Sequence, residues 1–263
     1  MIRLHRLMWR RGDRLILDGV DLHIRQGEQW VLLGRNGCGK TTVLEMICGY
    51  LFPTTGTVEV LGHRYGTVDL REVRKQIGYI SPALMEKFTL RDPVWEIVAG
   101  GLNAWLRVYE RLDDEVRERA YDELARVGLR AMAEQPFGTL SQGERKKALL
   151  ARVMMANPAL LILDEPCAGL DLFERERFLA VLEQLAGRNL TVLYVTHHIE
   201  EIIPMFTHVA LMAEGRMVAA GRKRDVLTAE KLGEVYRLPV TLDWQDDRPW
   251  IRVGRTGREG ASP

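Results

Sequence analysis

The eight residues Gly34-Arg35-Asn36-Gly37-Cys38-Gly39-Lys40-Thr41 constrain this chain more than any other segment. They satisfy the spacing G-x-x-x-x-G-K-[ST]. Before them stands a compact apolar run, Gln29-Trp30-Val31-Leu32-Leu33, of buried-strand type. After them a helix is expected from Lys40, stopping at Gly49, a good C-terminal capping residue. Glycines let a backbone curl until successive N–H groups point at phosphate oxygens, and the helix N-terminus adds positive potential. Lys40 then supplies a mobile charge for β- and γ-phosphates, and Thr41 a hydroxyl for magnesium. A glycine-rich turn that merely caps a helix is the bland alternative. The strand before, the helix after and Lys-Thr in register favour the phosphate site.

A second segment fits the first. Leu160-Leu161-Ile162-Leu163-Asp164-Glu165 reads as a buried strand that delivers carboxylates to the C-terminal edge of a sheet, where open α/β folds bind ligands. Asp164 is expected to hold magnesium through water, and Glu165 to polarise an attacking water. Alone, an apolar strand ending in Asp-Glu says little, because strands often end in solvated carboxylates. Beside the glycine-rich loop it says much more.

The rest of the chain supplies the scaffold. Residues 2 to 33 alternate apolar and polar, with turns at Gly12-Asp13 and Gln26-Gly27, and predict antiparallel strands. Thr57 to Leu61 and Ile77 to Ile80 read as further strands, and about Thr89 to Met155 as helical. Within that stretch Val116, Ala120, Leu124 and Val127 share one helix face. Thr191 to Val195 is strand-like and is separated from Leu160 to Leu163 by the helical Glu174 to Leu185, an alternation that indicates a parallel sheet. Val240 to Val253 predicts a hairpin, followed by a tail with the composition of a disordered terminus.

Further motifs carry a family resemblance. Thr139-Leu140-Ser141-Gln142-Gly143-Glu144 resembles the signature motif of ABC ATPases, in a Leu-Ser-Gln-Gly-Glu form. Leu163-Asp164-Glu165-Pro166 with Ala168-Gly169-Leu170-Asp171 resembles that family's Walker B and D-loop, and Thr196-His197-His198-Ile199-Glu200-Glu201 its switch-histidine segment. The ordered set, with Gly215 to Gly221, covers nearly all of residues 3 to 235. The signature and the His-His-Ile-Glu-Glu-Ile-Ile-Pro run look most like a molybdenum-transport-type branch.

The resemblance implies an α/β fold: a P-loop NTPase core with a parallel sheet, an N-terminal antiparallel β-subdomain and an inserted α-helical subdomain at about residues 83–156. The ATPase domain would span 1–238, with 239–263 as hairpin and flexible tail. It implies ATP and Mg2+ as cofactors, with Glu165 and His197 catalytic and Thr41 and Asp164 on the metal. Gly34, Arg35, Asn36, Gly37, Cys38, Gly39, Lys40, Thr41 and Thr42 would bind the nucleotide, together with Ser141, Gly143 and Asp171. Either Trp9 or Arg11 would stack on adenine; a buried structural Trp9 is the competing reading. Ser141 and Glu144 also form an S-x-x-E capping box, whose helix N-terminus is an anion site aimed outward. In the family that helix reaches the γ-phosphate held by the other subunit, so a homodimer, or a pair with a related ABC ATPase, with ATP at the interface is implied. His197 alternatively serves as a satisfied edge histidine.

Where many members place a Gln after the strand Ile77 to Ile80, this chain has Ser81-Pro82. Gln76 precedes the strand and is out of register. One magnesium contact and one coupling element are thereby put in question.

Composition bounds the partners. Lys and Arg number 37 against 36 Asp and Glu, so a basic surplus of the kind nucleic-acid binders carry is missing. No apolar stretch approaches the ~18 residues of a membrane span, and Met1 to Arg6 lacks a signal-peptide core. The cysteines Cys38, Cys48 and Cys167 form no CxxC pair, which fits a reducing cytoplasm. The expectation is a cytoplasmic ATPase subunit, peripheral on the inner face of the membrane, that powers an ABC transporter through a separate integral-membrane permease. An importer is favoured because exporters often fuse the two parts. A soluble ABC ATPase of translation or repair is disfavoured by the single motif set. A GTPase or kinase is disfavoured because the sequence has no Asn-Lys-x-Asp guanine signal and the signature motif has no role in either. Cys38, beside Lys40 and a helix N-terminus, sits where a thiolate would be favoured, with a buried inert thiol as the alternative.

Overall fold

The computed structural model describes residues 1–109, 111–186 and 190–254; the tail expected to be disordered lies mostly outside them. In chain order the elements begin with β1 (Ile2–Arg11), β2 (Arg14–Ile24), β3 (Gln29–Gly34), α1 (Lys40–Ile47), β4 (Thr55–Val60) and β5 (His63–Arg64). There follow α2 (Leu70–Arg74), β6 (Ile77–Ile80), α3 (Pro82–Met85), α4 (Val94–Ala99), α5 (Asp114–Arg126) and α6 (Gln142–Met154). Then come β7 (Leu160–Asp164), α7 (Leu172–Ala186), β8 (Thr191–Thr196), β9 (His208–Ala213) and β10 (Arg216–Arg222). The chain closes with α8 (Lys223–Val226), α9 (Ala229–Tyr236), β11 (Val240–Gln245) and β12 (Arg248–Val253). Two compact units form, one from Ile2–Glu59 with Val195–Pro263, the other from Val60–Tyr194 with Met1.

In the first unit β1 and β2 are the expected antiparallel pair, from Ile2 opposite Ile24 to Arg11 opposite Arg14. The apolar positions of β1 change phase: Ile2 and Leu4 are buried, then Leu7. Arg6 lies between them at φ 48, and this irregularity resets the inward face by one residue. Gly56 lets β4 approach closely, since a Cβ there would stand 2.5 Å from the Arg6 carbonyl oxygen. All six residues of β3 are buried. The strand runs parallel to β9, with Trp30 opposite His208 and Gly34 opposite Met212, and β10 pairs antiparallel with β9. Burial on both faces is why β3 reads as a continuous apolar run.

In the second unit β6 runs parallel to β7, from Ile77 opposite Leu160 to Ile80 opposite Leu163, and β8 neighbours β7. The helical stretch is real but broken. Its helices are α4, α5 and α6, with Pro93 capping the first and Gly100 ending it. Gly101 permits close approach: a Cβ there would lie 1.9 Å from the Arg152 carbonyl oxygen. On α5, Ala120 and Leu124 are buried as the expected face requires, with Val127 buried just beyond the helix and Val116 half-buried. Arg152 of α6 is itself buried and ties the helices together. It donates to the carbonyls of Ile97 (2.6 Å) and Trp105 (2.7 Å), and its guanidinium faces the Phe88 ring. Burial lowers its pKa to about 10. Among the described residues, no helix is long and apolar enough to cross a membrane.

Candidate nucleotide site

In the first unit the sequence from Gly34 to Lys40 builds a loop that only glycines allow. Gly34 packs under the Met212 carbonyl, where a Cβ would meet oxygen at 2.3 Å. Gly39 sits at φ 109, with Met212 and Leu17 side chains under 3 Å from where its Cβ would be. The loop is latched from behind by Gly215, whose N–H donates to the Cys38 carbonyl at 3.0 Å. Gly39 is the N-cap of α1, without a side-chain cap and without an acidic residue in the first turn. No side chain and no acid competes at that end with an outside anion for the positive helix terminus.

Lys40 is buried, and its ammonium donates to the carbonyls of Gly34 (2.8 Å) and Arg35 (3.2 Å). It spans the loop it belongs to, as a cation poised over a phosphate cradle would. Arg35, Asn36, Gly37 and Thr41 are exposed, and Thr42 is half-exposed. Cys38 corrects an expectation. Its side chain is buried, and burial pushes the thiol up in pKa against the opposing charge of Lys40, so the inert thiol is what this loop holds. Trp9 is half-buried opposite Leu17, and Arg11 is exposed opposite Arg14. At the irregularity between Trp9 and Arg10 the extra residue, Ile16, lies in β2, while β1 runs on without an insertion from Trp9 to Arg11. The half-exposed His197 follows the end of β8, its ring 4.0 Å from that of His198. Its carbonyl accepts from the Tyr236 hydroxyl at 3.1 Å.

In the second unit β7 ends on a buried Asp164. Glu165 follows with φ 47, a left-handed conformation that is uncommon for a residue with a side chain. Such strain persists only where the surroundings impose it, and it gathers at functional positions. The turn is closed by the Ala168 N–H bonding to the Glu165 carbonyl at 3.1 Å, and Lys146 of α6 donates to the Ala168 carbonyl.

Ser141 caps α6 in a complete capping box. Its hydroxyl accepts from the Glu144 N–H at 3.3 Å, and the Glu144 carboxylate accepts from the Ser141 N–H at 2.8 Å. That bond holds the Glu144 carboxyl below its ordinary pKa. Gly143 faces Glu174, whose carboxylate would clash with any Cβ there. Asp171 accepts from the Glu174 N–H at 2.9 Å ahead of α7.

Gln76 is placed by the β6–β7 register. It precedes Ile77 at the start of the strand pair, whereas Asp164 follows Leu163 at the other end, next in register after Ile80. Ser81 occupies that end and is the N-cap of α3, with Pro82 as its first residue.

The glycine-rich loop, the strained glutamate after a buried strand, and the capped signature helix are the parts of an ATP-binding cassette. The ABC transporter family profile matches residues 17–168. The chain belongs to that family. An ABC transporter ATP-binding protein of Bacillus subtilis is 39% identical over 254 residues, covering 95% of this chain and 96% of that one. A second, from Streptococcus mutans, is 34% identical over 250 residues, covering 94% and 96%. Among solved structures, CbiO1 of Clostridium perfringens, described as part of the ABC transporter complex CbiONQ, superposes with a TM-score of 0.77 at 26% identity, over 89% of this chain and 92% of that one. The expected fold class is thereby borne out, and this ABC ATPase is an ATP-binding, ATP-hydrolysing transporter subunit.

Sequence reasoning missed several residues around these positions. Tyr236, Arg248 and Lys223 donate to carbonyls near His197, and Glu174 lies against Gly143. No motif flags them, because each acts through a contact distant in sequence.

Proposed function

We propose that this ABC ATPase powers an importer-type transporter whose membrane-spanning permease is a separate chain, through ATP-driven closure of two copies. The observation that carries the reading is the uncapped N-terminus of α1, with Lys40 spanning the loop ahead of it. An anion of high charge is the ligand such a site suits. Residues Gly34 to Thr42 would bind the triphosphate, with Trp9 or Arg11 against adenine. Thr41 and Asp164 would hold magnesium. A hard, octahedral cation suits a hydroxyl, a carboxylate and phosphate oxygens, and when bound it neutralises charge on the phosphates. Glu165 would orient the attacking water and His197 contact the γ-phosphate, so that catalysis is positioning and charge stabilisation. The capped N-terminus of α6, with Ser141 and Gly143, would face the nucleotide of the other copy, with Asp171 beside it. Residues 1–238 would form the ATPase domain, with the helical insertion at about 83–156.

Relatives named as ABC transporter ATP-binding proteins, and one that is part of a transporter complex, support the transport role. The chain would then work at the cytoplasmic face of the membrane. The test is affinity purification of the tagged chain from detergent-solubilised cells that express it natively, with mass spectrometry of what accompanies it. An integral-membrane protein at comparable abundance is expected; recovery of ribosomes or DNA instead would overturn the transport reading.

A further inference from the structure

The segment after β8 is held from outside itself. It contains only a short turn of 3-10 helix, Ile199–Glu201, too brief to satisfy its own carbonyls. Three side chains from the C-terminal part of the first unit take three of them. The Tyr236 hydroxyl donates to the His197 carbonyl at 3.1 Å, the Arg248 Nε to the Glu200 carbonyl at 2.6 Å, and the Lys223 ammonium to the Pro204 carbonyl at 3.3 Å.

These donors are themselves fixed. Lys223 is buried, donates to the Asp247 carbonyl at 2.9 Å, and lies 2.5 Å from its carboxylate. Arg224 gives two nitrogens to the same carboxylate, at 3.0 and 2.8 Å, and stacks over Trp244 with its guanidinium carbon 3.8 Å from the ring centroid. Asp246 and Asp247 form the two-residue turn between β11 and β12, at φ 49 and 59. Such a turn ordinarily takes Asn-Gly. Here Lys223 and Arg224 hold an aspartate in it, which aims Arg248, the next residue, at the Glu200 carbonyl.

Tyr236 is half-buried, and burial is the main reason the pKa of its hydroxyl is raised, so the hydroxyl stays a donor to the His197 carbonyl.

We infer that Tyr236, Arg248 and Lys223 are positioning residues for His197: α9 and the C-terminal hairpin fix the backbone that carries its imidazole, and turnover depends on their grip. The inference rests on the role given to His197 above. It also makes the hairpin a control point, since whatever loosens it slows hydrolysis without touching the nucleotide.

The test uses the full chain with Arg248→Ala, Arg248→Lys and Tyr236→Phe, each in the native and in the His197→Ala background. Steady-state ATPase kinetics and the NMR signal of the His197 ring are read. Arg248→Ala and Tyr236→Phe should lower kcat about tenfold, the scale of one lost hydrogen bond, with KM for ATP within about twofold. The His197 ring signal should shift, and Arg248→Lys should recover part of kcat. In the His197→Ala background neither change should lower kcat further. An unmoved ring signal with unchanged kcat would overturn the inference, as would an equal loss of kcat with His197 already removed. A His197→Ala chain that hydrolyses ATP at the native rate would overturn the role of His197 itself. Should Arg248→Ala fail to fold, Tyr236→Phe and Arg248→Lys carry the same readouts.

Discussion

Two helices in this molecule begin in opposite ways. At α1 the N-cap is Gly39 in a left-handed conformation, with no side-chain cap and no acid in the first turn. At α6 the N-cap is Ser141, inside a complete capping box, with Glu144 in the first turn. Stability alone would favour a Ser, Thr, Asp or Asn cap at both, worth ~1 kcal/mol each. The α1 terminus forgoes that, and with no acid in its first turn its field stays positive. The α6 terminus is already satisfied internally, so what it offers an outside anion is residual dipole and a hydroxyl already in use. The difference teaches that these termini are not equivalent as anion sites: on the proposed function α1 would be the primary seat, and α6 would contribute only when a nucleotide is presented to it.

Three substitutions can break or sharpen that contrast. The largest effect is expected from Lys40→Ala, which removes the ammonium that spans the α1 loop from Gly34 to Arg35. ATP affinity by calorimetry should fall on the order of a hundredfold, the scale of lost charged hydrogen bonds, with the melting profile largely kept. Equal affinity for variant and native chains would sink the phosphate assignment.

Ser141→Ala should do the reverse. It should cost ~1 kcal/mol of stability through the lost cap while the affinity of the isolated chain for ATP stays within about twofold of native. A loss of affinity as deep as that of Lys40→Ala would make the two termini equivalent and end the contrast.

The smallest effect concerns Glu144 and pH. Its folded pKa is depressed, first of all by the Ser141 N–H. Its contribution is therefore present above the unfolded-state pKa and is lost as pH falls through the depressed folded value. The gap in melting temperature between native and Glu144→Ala chains should be widest near neutrality and close in acid. A gap that stays constant across that range would show that the carboxylate charge contributes nothing to the α6 terminus.

Much of this was legible beforehand because it is periodic or local. The strands Ile77–Ile80 and Val240–Val253 fall where alternation and apolar runs placed them, and Ser141-x-x-Glu144 is the capping box it spells. What was not legible is tertiary. The break of the long helical stretch at Gly100 and Gly101 depends on how closely Arg152 packs. The left-handed Glu165 depends on the turn that Ala168 and Lys146 close. The burial that raises the pKa of the Cys38 thiol cannot be read from its neighbours in sequence, which left a thiolate and a buried inert thiol both open. Nor can the carbonyl contacts around His197, which join residues 19 to 48 positions apart.

The central claim is that ATP held at the α1 terminus is completed by the α6 terminus of a second copy and hydrolysed through Glu165. Glu165→Gln keeps the shape of that side chain, removes its charge and cannot serve as a base, so hydrolysis should fall ~10²–10⁴-fold while ATP still binds. The direct measurement is size-exclusion light scattering of the Glu165→Gln chain, alone and with Ser141→Arg, each with and without saturating Mg-ATP. The account predicts a dimer for Glu165→Gln only when Mg-ATP is present, and a monomer in every condition once Ser141→Arg is added. A Glu165→Gln chain that stays monomeric at high concentration with saturating Mg-ATP would contradict it.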